Sequence, residues 1–321
     1  MPRRLPLLLL PLLLSATPPV PTAPAATVRV AILSDFNGSY GRTTYPPALG
    51  RSITRITQEW QPDAVLSAGD LIAGQKASLT DAQVRAMWAA FDRDVQRPLA
   101  NAGIPFIFTL GNHDASPTST RDRREAQTYW TAHVPDVTYT DQAAFPFRSA
   151  FTLGGGAVFV VSLDASGPEV DAAQRSWLAA QLASAPARAA GLRLVMGHLP
   201  LAGVSADKNR PGEVIHDANA LRQVMEAGDV LLYLHGHHAA YYPGRLGGLN
   251  ILSSGGIGGR NYVGHPGTPR STITLLTLVP GEHRATFETV DADTGATVRT
   301  ETLPARIDGR GGPLLRVSEF R

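Results

Sequence analysis

Short apolar segments alternate with helical patterns between residues 27 and 234, and this alternation restricts the folds that the chain can adopt. Each apolar segment has the length of a buried β-strand. The predicted strands are residues 27–34, 63–68, 104–110, 157–163, 192–196 and 229–234. The predicted helices are residues 46–60, 80–97, 121–133, 171–184 and 217–227. This order predicts strand layers covered by helices on their outer faces, an α/β or α+β architecture.

Two helix starts and a change of pattern refine this picture. Thr80 with Gln83, and Asp171 with Gln174, have the spacing of N-terminal capping boxes. After Gly264 the pattern becomes short and alternating, at residues 272–278, 284–290 and 297–302. Alternation of this kind is typical of antiparallel strands, so we expect the chain to end in such a segment.

Polar side chains follow five of the predicted strands. They are Asp35, Asp70, the pair Asn112 and His113, His198, and His237. Loops at strand ends collect catalytic groups because they vary over a rigid sheet. Carboxylate, amide and imidazole groups bind Mn, Fe, Zn and similar divalent ions, and two such ions about 3.5–4 Å apart can act on both oxygens of a phosphoryl displacement. The sequence therefore predicts a divalent-metal site at one sheet edge.

In chain order the surrounding blocks resemble one known family. They read Asp35-Phe36-Asn37, Gly69-Asp70, Gly111-Asn112-His113-Asp114, Gly197-His198 and Gly236-His237-His238-Ala239. This series is similar to the ordered motifs of the calcineurin-like metallophosphoesterases, which include purple acid phosphatases, and the resemblance covers about residues 27–260. It implies a four-layer sandwich, in which two mixed β-sheets are flanked by helices and the metals lie at one edge.

The resemblance also implies roles for individual residues. Asp70 would bridge two metal ions, with one site completed by Asn112, His198 and His237 and the other served by Asp35 and Asn37. His113 would protonate the leaving oxygen, oriented by Asp114. The implied reaction is hydrolysis of phosphate mono- or diesters by in-line attack of a metal-bound water or hydroxide. The implied cofactors are divalent ions of the Mn, Fe, Zn or Mg class.

The chain departs from the family pattern at two positions. Asn37 and Ala239 stand where the first and last blocks of the family carry His, and both missing imidazoles would serve the metal of Asp35. We therefore expect one tightly bound ion and one weaker ion. His235, His238 and His265 are candidates for a substitute ligand or for a group that supports the ligands. The alternative function is a degenerate, non-catalytic module that binds metal or phosphate.

Other polar and aromatic residues are interpreted from their position in the chain. Five side chains near the predicted metal edge are candidates to line a substrate pocket: Tyr40, Tyr45, Tyr241, Tyr242 and Arg260. Lys76, one of only two lysines, is interpreted as a solvated loop residue. Asp164 is interpreted as structural.

The first residues have the features of a secretory signal peptide. Arg3 and Arg4 precede a short apolar run, and Ala23-Pro24-Ala25 offers a small-x-small cleavage site. The alternative is an uncleaved N-terminal anchor. We expect a signal peptide at residues 1–25, one phosphoesterase domain at residues 26–303 and a C-terminal tail at residues 304–321. The expected localisation is secreted or periplasmic, with no membrane span after signal removal.

Charge and cysteine content exclude other classes. Removing residues 1–25 takes away two of the 29 basic residues and none of the 27 acidic ones, so the remaining formal charge is zero. The sequence has no basic run typical of nucleic-acid binding. It has no cysteine, which excludes thiolate-ligated zinc. The expected partner is a small phosphoester substrate.

Overall fold

The computed structural model describes residues 27–321 as two stacked β-sheets with helices on their outer faces. The signal-peptide prediction lies outside the described residues. The strands are β1 Val28–Ile32, β2 Ala64–Ser67, β3 Phe106–Phe108, β4 Thr138–Ala144, β5 Arg148–Leu153, β6 Val158–Ser162, β7 Leu192–Met196, β8 Leu232–His235, β9 Tyr242–Leu246, β10 Leu249–Ser253, β11 Thr272–Val279, β12 Arg284–Asp291, β13 Arg306–Gly309 and β14 Gly312–Arg316.

The five predicted helices are confirmed, but the second continues past residue 97 to Asn101, and two short helices, at residues 112–115 and 185–189, were not predicted. They are α1 Pro47–Thr54, α2 Asp81–Phe91, α3 Arg97–Asn101, α4 Asn112–Ala115, α5 Thr120–Ala132, α6 Ala172–Leu182, α7 Ala185–Ala189 and α8 Ala218–Ala227. Helix α1 continues as a π-helical turn, Arg55–Trp60, and α2 continues into α3 through another, Asp92–Gln96. The predicted capping box at α2 is confirmed, since Thr80 Oγ1 accepts from the Gln83 backbone N–H and the Gln83 side chain accepts from the Thr80 N–H.

The two sheets are both mixed. The smaller has the order β12-β11-β1-β2-β3, with β1, β2 and β3 parallel. The larger has the order β13-β14-β9-β10-β8-β7-β6-β5-β4, with a parallel centre formed by β6, β7, β8 and β10. Parallel central strands point their carboxyl ends to one edge, which places the loops that follow them together.

Both faces of β1 are buried, and alternate side chains enter different cores. Val28, Val30 and Ile32 pack in the core between the sheets. Ala31 and Leu33 pack in the second core, beneath the helices that cover the small sheet. The alternation follows from the two-residue period of a strand, and burial on both faces explains why β1 reads as a continuous apolar run.

Two expectations from the sequence are corrected by the structure. The predicted strand at residues 297–302 is wrong, since this segment forms a single bridge, between Thr297 and Val290, and a short 3₁₀ turn, Thr300–Thr302. The predicted tail at residues 304–321 is part of the fold, because β13 and β14 extend the large sheet through β9 and Phe320 is buried. Two hairpins, β4-β5 and β9-β10, were not predicted. Among residues 27–321, no helix is long and apolar enough to cross a membrane.

Candidate metal centre

The loops that follow β1, β2, β7 and β8 meet at one edge of the sandwich. Asp35 Oδ1 of the small sheet accepts a hydrogen bond of 2.7 Å from the backbone N–H of His237 on the large sheet. His198 Nδ1 of the large sheet lies 2.7 Å from the carbonyl oxygen of Ala68 on the small sheet. These contacts between the sheets bring the polar strand ends predicted from the sequence into one site.

Asp70, His198 and His237 form a group whose ligand atoms all lie within 4.8 Å of one another. His198 Nε2 is the central atom: it is 3.3 Å from Asp70 Oδ1, 3.2 Å from His237 Nδ1 and 2.9 Å from Asn112 Oδ1. All three ligand residues are buried. A carboxylate, two imidazoles and an amide oxygen are together a donor set for a divalent ion of the Zn, Fe or Mn class.

The outer nitrogens of the two imidazoles show that this group fits a metal ion. His198 Nδ1 is bonded to the Ala68 carbonyl, and His237 Nε2 lies 2.6 Å from Glu213 Oε2. The other nitrogens of the two rings, His198 Nε2 and His237 Nδ1, thereby face each other within the group at 3.2 Å. Metal-binding histidines are oriented in this way by a carboxylate or carbonyl on the far nitrogen.

Backbone strain coincides with the same residues. Asp35, Asp70 and His237 have φ values of +49°, +57° and +66°, a left-handed conformation that is uncommon for residues other than glycine. Such strain persists only where the surroundings fix it, and it concentrates at functional sites. The motif glycines leave room for it: a Cβ on Gly111 would overlap the Asp70 carboxylate, and one on Gly236 would overlap that of Asp35.

Asp114 fixes the Asp70 loop and does not orient His113, which corrects its predicted catalytic role. Its Oδ1 accepts from the backbone N–H groups of Leu71 and Ile72, and its Oδ2 from those of Asp70 and Gly111, at 2.8–2.9 Å. All four acceptor positions of the carboxylate are therefore used. Burial raises the pKa of Asp114, and the backbone hydrogen bonds oppose this rise because they need the ionised form.

His113 lies beside the metal group on a cavity wall. Its Nε2 is 3.9 Å from Asp70 Oδ2, and its backbone N–H donates to Asp70 Oδ1 at 3.0 Å. Its Nδ1 is buried and has no hydrogen-bond partner within residues 27–321. The exposed ring of Tyr40 stacks on the imidazole, with centroids 5.2 Å apart. The Nε2 atom of His113 thus lies next to the metal ligands.

The predicted second metal position has few free donors, and the expectation of a weaker second ion stays a prediction. Asp35 Oδ1 is bonded to the His237 N–H, and Oδ2 is contacted by the hydroxyls of Ser34 and Ser254. Asn37 and Ala239 face the same cavity, but Ala239 has no donor atom. Within residues 27–321, the group of Asp70, His198 and His237 is the one set of three such side chains close enough to hold an ion.

None of the three candidate substitute histidines lines either cavity at this centre. His238 Nδ1 accepts from the backbone N–H groups of Val204 and Ser205, and its Nε2 donates to the Glu213 carbonyl, so both nitrogens are used. His235 is buried, and its Nδ1 contacts the Gly236 carbonyl. His265 is exposed. Burial lowers the pKa of His235 to about 4 and that of His238 to about 3, so both rings are neutral near pH 7.

Charge in the site is concentrated on Asp70. Burial alone would raise its pKa, but His198, His113 and His237 outweigh this effect and lower the pKa to about 2. Burial raises the pKa of Asp35 to about 6. Asp70 is thus the carboxylate with the stronger preference for its ionised form, and it lies where the imidazole lone pairs converge.

Two adjoining cavities open over the centre. One, of about 540 Å³, is lined by Asp35, Asp70 and His113, and the other, of about 690 Å³, shares His113 and His237 with it. Tyr40 and Arg260 line these cavities as predicted. The other predicted pocket residues, Tyr45, Tyr241 and Tyr242, line neither cavity.

Two residues of the site were missed by the sequence analysis. Lys208 and Glu213 lie in the loop between β7 and α8, and both line the second cavity. Lys208 Nζ is 3.3–3.4 Å from the ring nitrogens of His237 and 3.7 Å from Glu213 Oε2. The one available signal was that Lys208 is the chain's other lysine and follows a predicted ligand, His198, by ten residues. Asp164 is structural, as interpreted, since it pairs with Arg123 at 2.7 Å.

A family model described as calcineurin-like phosphoesterase matches residues 28–241. A search of curated protein sequences finds no match.

Solved structures of three proteins resemble the fold at low identity. A purple acid phosphatase from yellow lupin (Lupinus luteus) seeds is 17% identical with a TM-score of 0.61, over 85% of this chain and 53% of that one. This chain therefore spans about half the length of the lupin protein. GAP50, the anchor in the inner membrane complex of Plasmodium, is 16% identical with a TM-score of 0.56, over 85% and 87%. A dimetal phosphatase from Danio rerio is 15% identical with a TM-score of 0.56, over 86% and 99%.

Proposed function

Because this chain belongs to the calcineurin-like phosphoesterase family, we propose that it is a metal-dependent hydrolase of phosphate mono- or diesters. The observation that carries the proposal is the position of His113. This imidazole stands on the wall of an open cavity, 3.9 Å from the Asp70 carboxylate of the metal group. A general acid placed beside a metal group is suited to cleave a phosphoester and has no evident use in a protein that only binds.

Asp70, Asn112, His198 and His237 would hold the ion, and each is fixed by contacts outside the group. When bound, a divalent ion would polarise a phosphoryl oxygen and lower the pKa of a water molecule. The residues of the chain supply the positioning. Asp114 fixes the loop of Asp70, and Glu213 fixes the ring of His237. Rigid support of this kind lowers the cost of ordering the site during reaction.

His113 would supply the proton for the leaving oxygen. Nε2 faces the metal group, while the backbone N–H of the same residue is bonded to Asp70 Oδ1. The ring position is therefore tied to that of a metal ligand. Proton transfer by a positioned histidine contributes typically 10²- to 10⁴-fold to a rate.

The second candidate is a non-catalytic module that binds metal or phosphate. It is favoured by one observation, the absence of imidazole donors at Asn37 and Ala239 beside the cavity. The Plasmodium protein of the same fold is described as an anchor, so the fold alone does not imply catalysis.

The two candidates are separated by an activity panel of phosphate monoesters and diesters, each assayed with added Mn²⁺, Zn²⁺ or Mg²⁺ and with a chelator. The hydrolase predicts metal-dependent turnover that the chelator removes and that His113→Ala lowers. Metal binding without turnover of any ester in the panel would instead support the binding module.

Export to the periplasm or the medium is part of the same proposal. It rests on the basic start, the apolar run and the Ala23-Pro24-Ala25 site. A cysteine-free chain needs no disulfide chemistry in either compartment.

A further inference from the structure

Lys208 lies in the metal centre although no block of the sequence pattern includes it. Only 14% of its side chain is exposed, and it lines the cavity together with Asp35, Asp70 and His113. Burying a lysine is unfavourable unless its charge has a use or a partner. The Lys208 ammonium is therefore expected to have a charged partner or a ligand.

The ammonium has no strong ion pair. Within residues 27–321, Glu213 is the one acidic side chain within 4.0 Å of Lys208 Nζ, at 3.7 Å. Glu213 is already engaged, since its Oε2 is 2.6 Å from His237 and its Oε1 is 2.7 Å from Arg210. Nζ also lies 3.3–3.4 Å from the two ring nitrogens of His237. Because an ammonium has three N–H groups, at least one remains available to a ligand in the cavity.

The loop of Lys208 is held in place from several sides. His238 accepts from the N–H groups of Val204 and Ser205, and the Ala206 N–H donates to the Asn261 carbonyl at 2.9 Å. On the far side, Asn209 Oδ1 accepts from the Arg310 backbone N–H at 2.6 Å. The ammonium is thus placed over the centre by the fold and not by a freely moving loop.

Lys208 lines the same cavity as Asp35, Asn37 and Ala239, the residues of the second predicted metal position. Asp35 is satisfied by neighbouring N–H and O–H groups, and Ala239 offers no donor. The Lys208 ammonium shares this cavity with Asp70 and His237 as well. A second divalent ion here would lack ligands and would also be repelled by the ammonium.

We infer that Lys208 replaces the second metal ion: the centre holds one divalent ion, and the Lys208 ammonium is the second cation that binds the phosphoryl group of the substrate. This inference rests on the proposed function, because it places a phosphate in the same site. An ammonium is a compact point charge that pairs well with phosphate oxygens. The substrate is accordingly a phosphoester, and its phosphoryl oxygens contact the metal ion and Lys208.

The test combines a metal count with equilibrium binding of inorganic phosphate. Wild-type protein is equilibrated with excess Mn²⁺, freed of unbound ions and analysed for metal; we expect one ion per chain. Phosphate binding to the Mn²⁺-loaded protein is then measured by calorimetry for wild type, Lys208→Met, Lys208→Arg and Lys76→Met. Lys76→Met is the matched control, because Lys76 is the other lysine and is exposed on a loop.

A charge-assisted hydrogen bond of the usual strength predicts that Lys208→Met binds phosphate roughly 10- to 100-fold more weakly. Lys208→Arg should retain much of the affinity, and Lys76→Met all of it. Two tightly held ions in wild type, or unchanged phosphate affinity in a folded Lys208→Met, would overturn the inference. The metal count needs no variant, so it decides even if Lys208→Met does not fold. Lysine-dependent phosphate binding without ester turnover would sustain the inference and contradict only the proposed hydrolase.

Discussion

Glu213 Oε2 lies 2.6 Å from His237 Nε2, on the side of the imidazole away from the Nδ1 that faces His198. Glu213 is held in turn by Arg210, at 2.7 Å from its other carboxylate oxygen. This chain of contacts runs from the protein surface to a metal ligand, so a residue 24 positions before His237 in the sequence sets the orientation of its ring.

We predict that Glu213→Gln weakens metal binding by roughly 10- to 100-fold, the usual effect of removing an outer carboxylate from a ligand histidine. The neutral amide is a weaker acceptor for the Nε2–H, so the ring loses both orientation and basicity. Competition with a chromogenic chelator measures the affinity. Glu169→Gln is the matched control, because Glu169 also pairs with a histidine, His216, but at an exposed position. Equal affinities for Glu213→Gln and wild type would remove Glu213 from this role.

Asp114→Asn is predicted to destabilise the fold and to release the metal. The carboxylate accepts four backbone hydrogen bonds, and an amide can accept with only one of its two polar atoms. The buried N–H groups left unpaired should cost about 3 kcal/mol or more in the free energy of unfolding, measured in urea. If the variant were as stable as wild type and lost only turnover, Asp114 would be catalytic, as the sequence pattern implied.

The sequence predicted the elements whose structure is determined by a local sequence pattern. β1 reads as a strand because both of its faces are buried, and α2 begins at Thr80 because the capping box is local. The hairpin β9-β10 escaped prediction because Pro243 and Gly244 interrupt its first strand.

The site was predictable only where a ligand follows a strand. Asp70, Asn112, His198 and His237 could be identified in this way, because the carboxyl ends of parallel strands meet at one edge. Lys208 and Glu213 lie far along the loop after β7, not directly at the end of the strand. That loop is held at the centre by contacts with Asn261 and Arg310, which are distant in sequence. Whether Asp114 faces an imidazole or the backbone is likewise decided by tertiary structure.

His113→Ala is predicted to keep the fold and the metal content while turnover falls by roughly 10²- to 10⁴-fold. The fold should persist because the backbone N–H of residue 113, which bonds Asp70, is unchanged. The loss should be greatest for alkyl phosphates, whose leaving group needs a proton, and smaller for nitrophenyl esters. His216→Ala, at an exposed histidine, is the control. Equal losses on both ester types would show that His113 does not protonate the leaving group.

Export predicts a defined mature N-terminus. We expect the chain isolated from its native host to begin at Ala26 or within a few residues of it, since Ala23-Pro24-Ala25 has the small side chains that signal peptidases require. N-terminal sequencing measures this directly. A chain that retains Met1 in a soluble cytoplasmic fraction would contradict export.

The missing second metal site should be restorable. Asn37→His with Ala239→His would add two imidazole donors at the cavity wall beside Asp35, and histidine is among the residues that tolerate the left-handed backbone of position 239, where φ is +42°. We expect this double variant to bind a second Mn²⁺ ion weakly, because the Lys208 ammonium still opposes it.

Adding Lys208→Met to the double variant should strengthen the second ion further, since a like charge is removed from the cavity. Elemental analysis after equilibration with graded Mn²⁺ concentrations counts the ions. Asn101→His with Ala102→His, at exposed positions at the end of α3, controls for adventitious binding by added histidines. If the triple variant still held one ion, the loss of the second site would have to lie in the Asp35 carboxylate itself, whose oxygens are bonded to His237, Ser34 and Ser254.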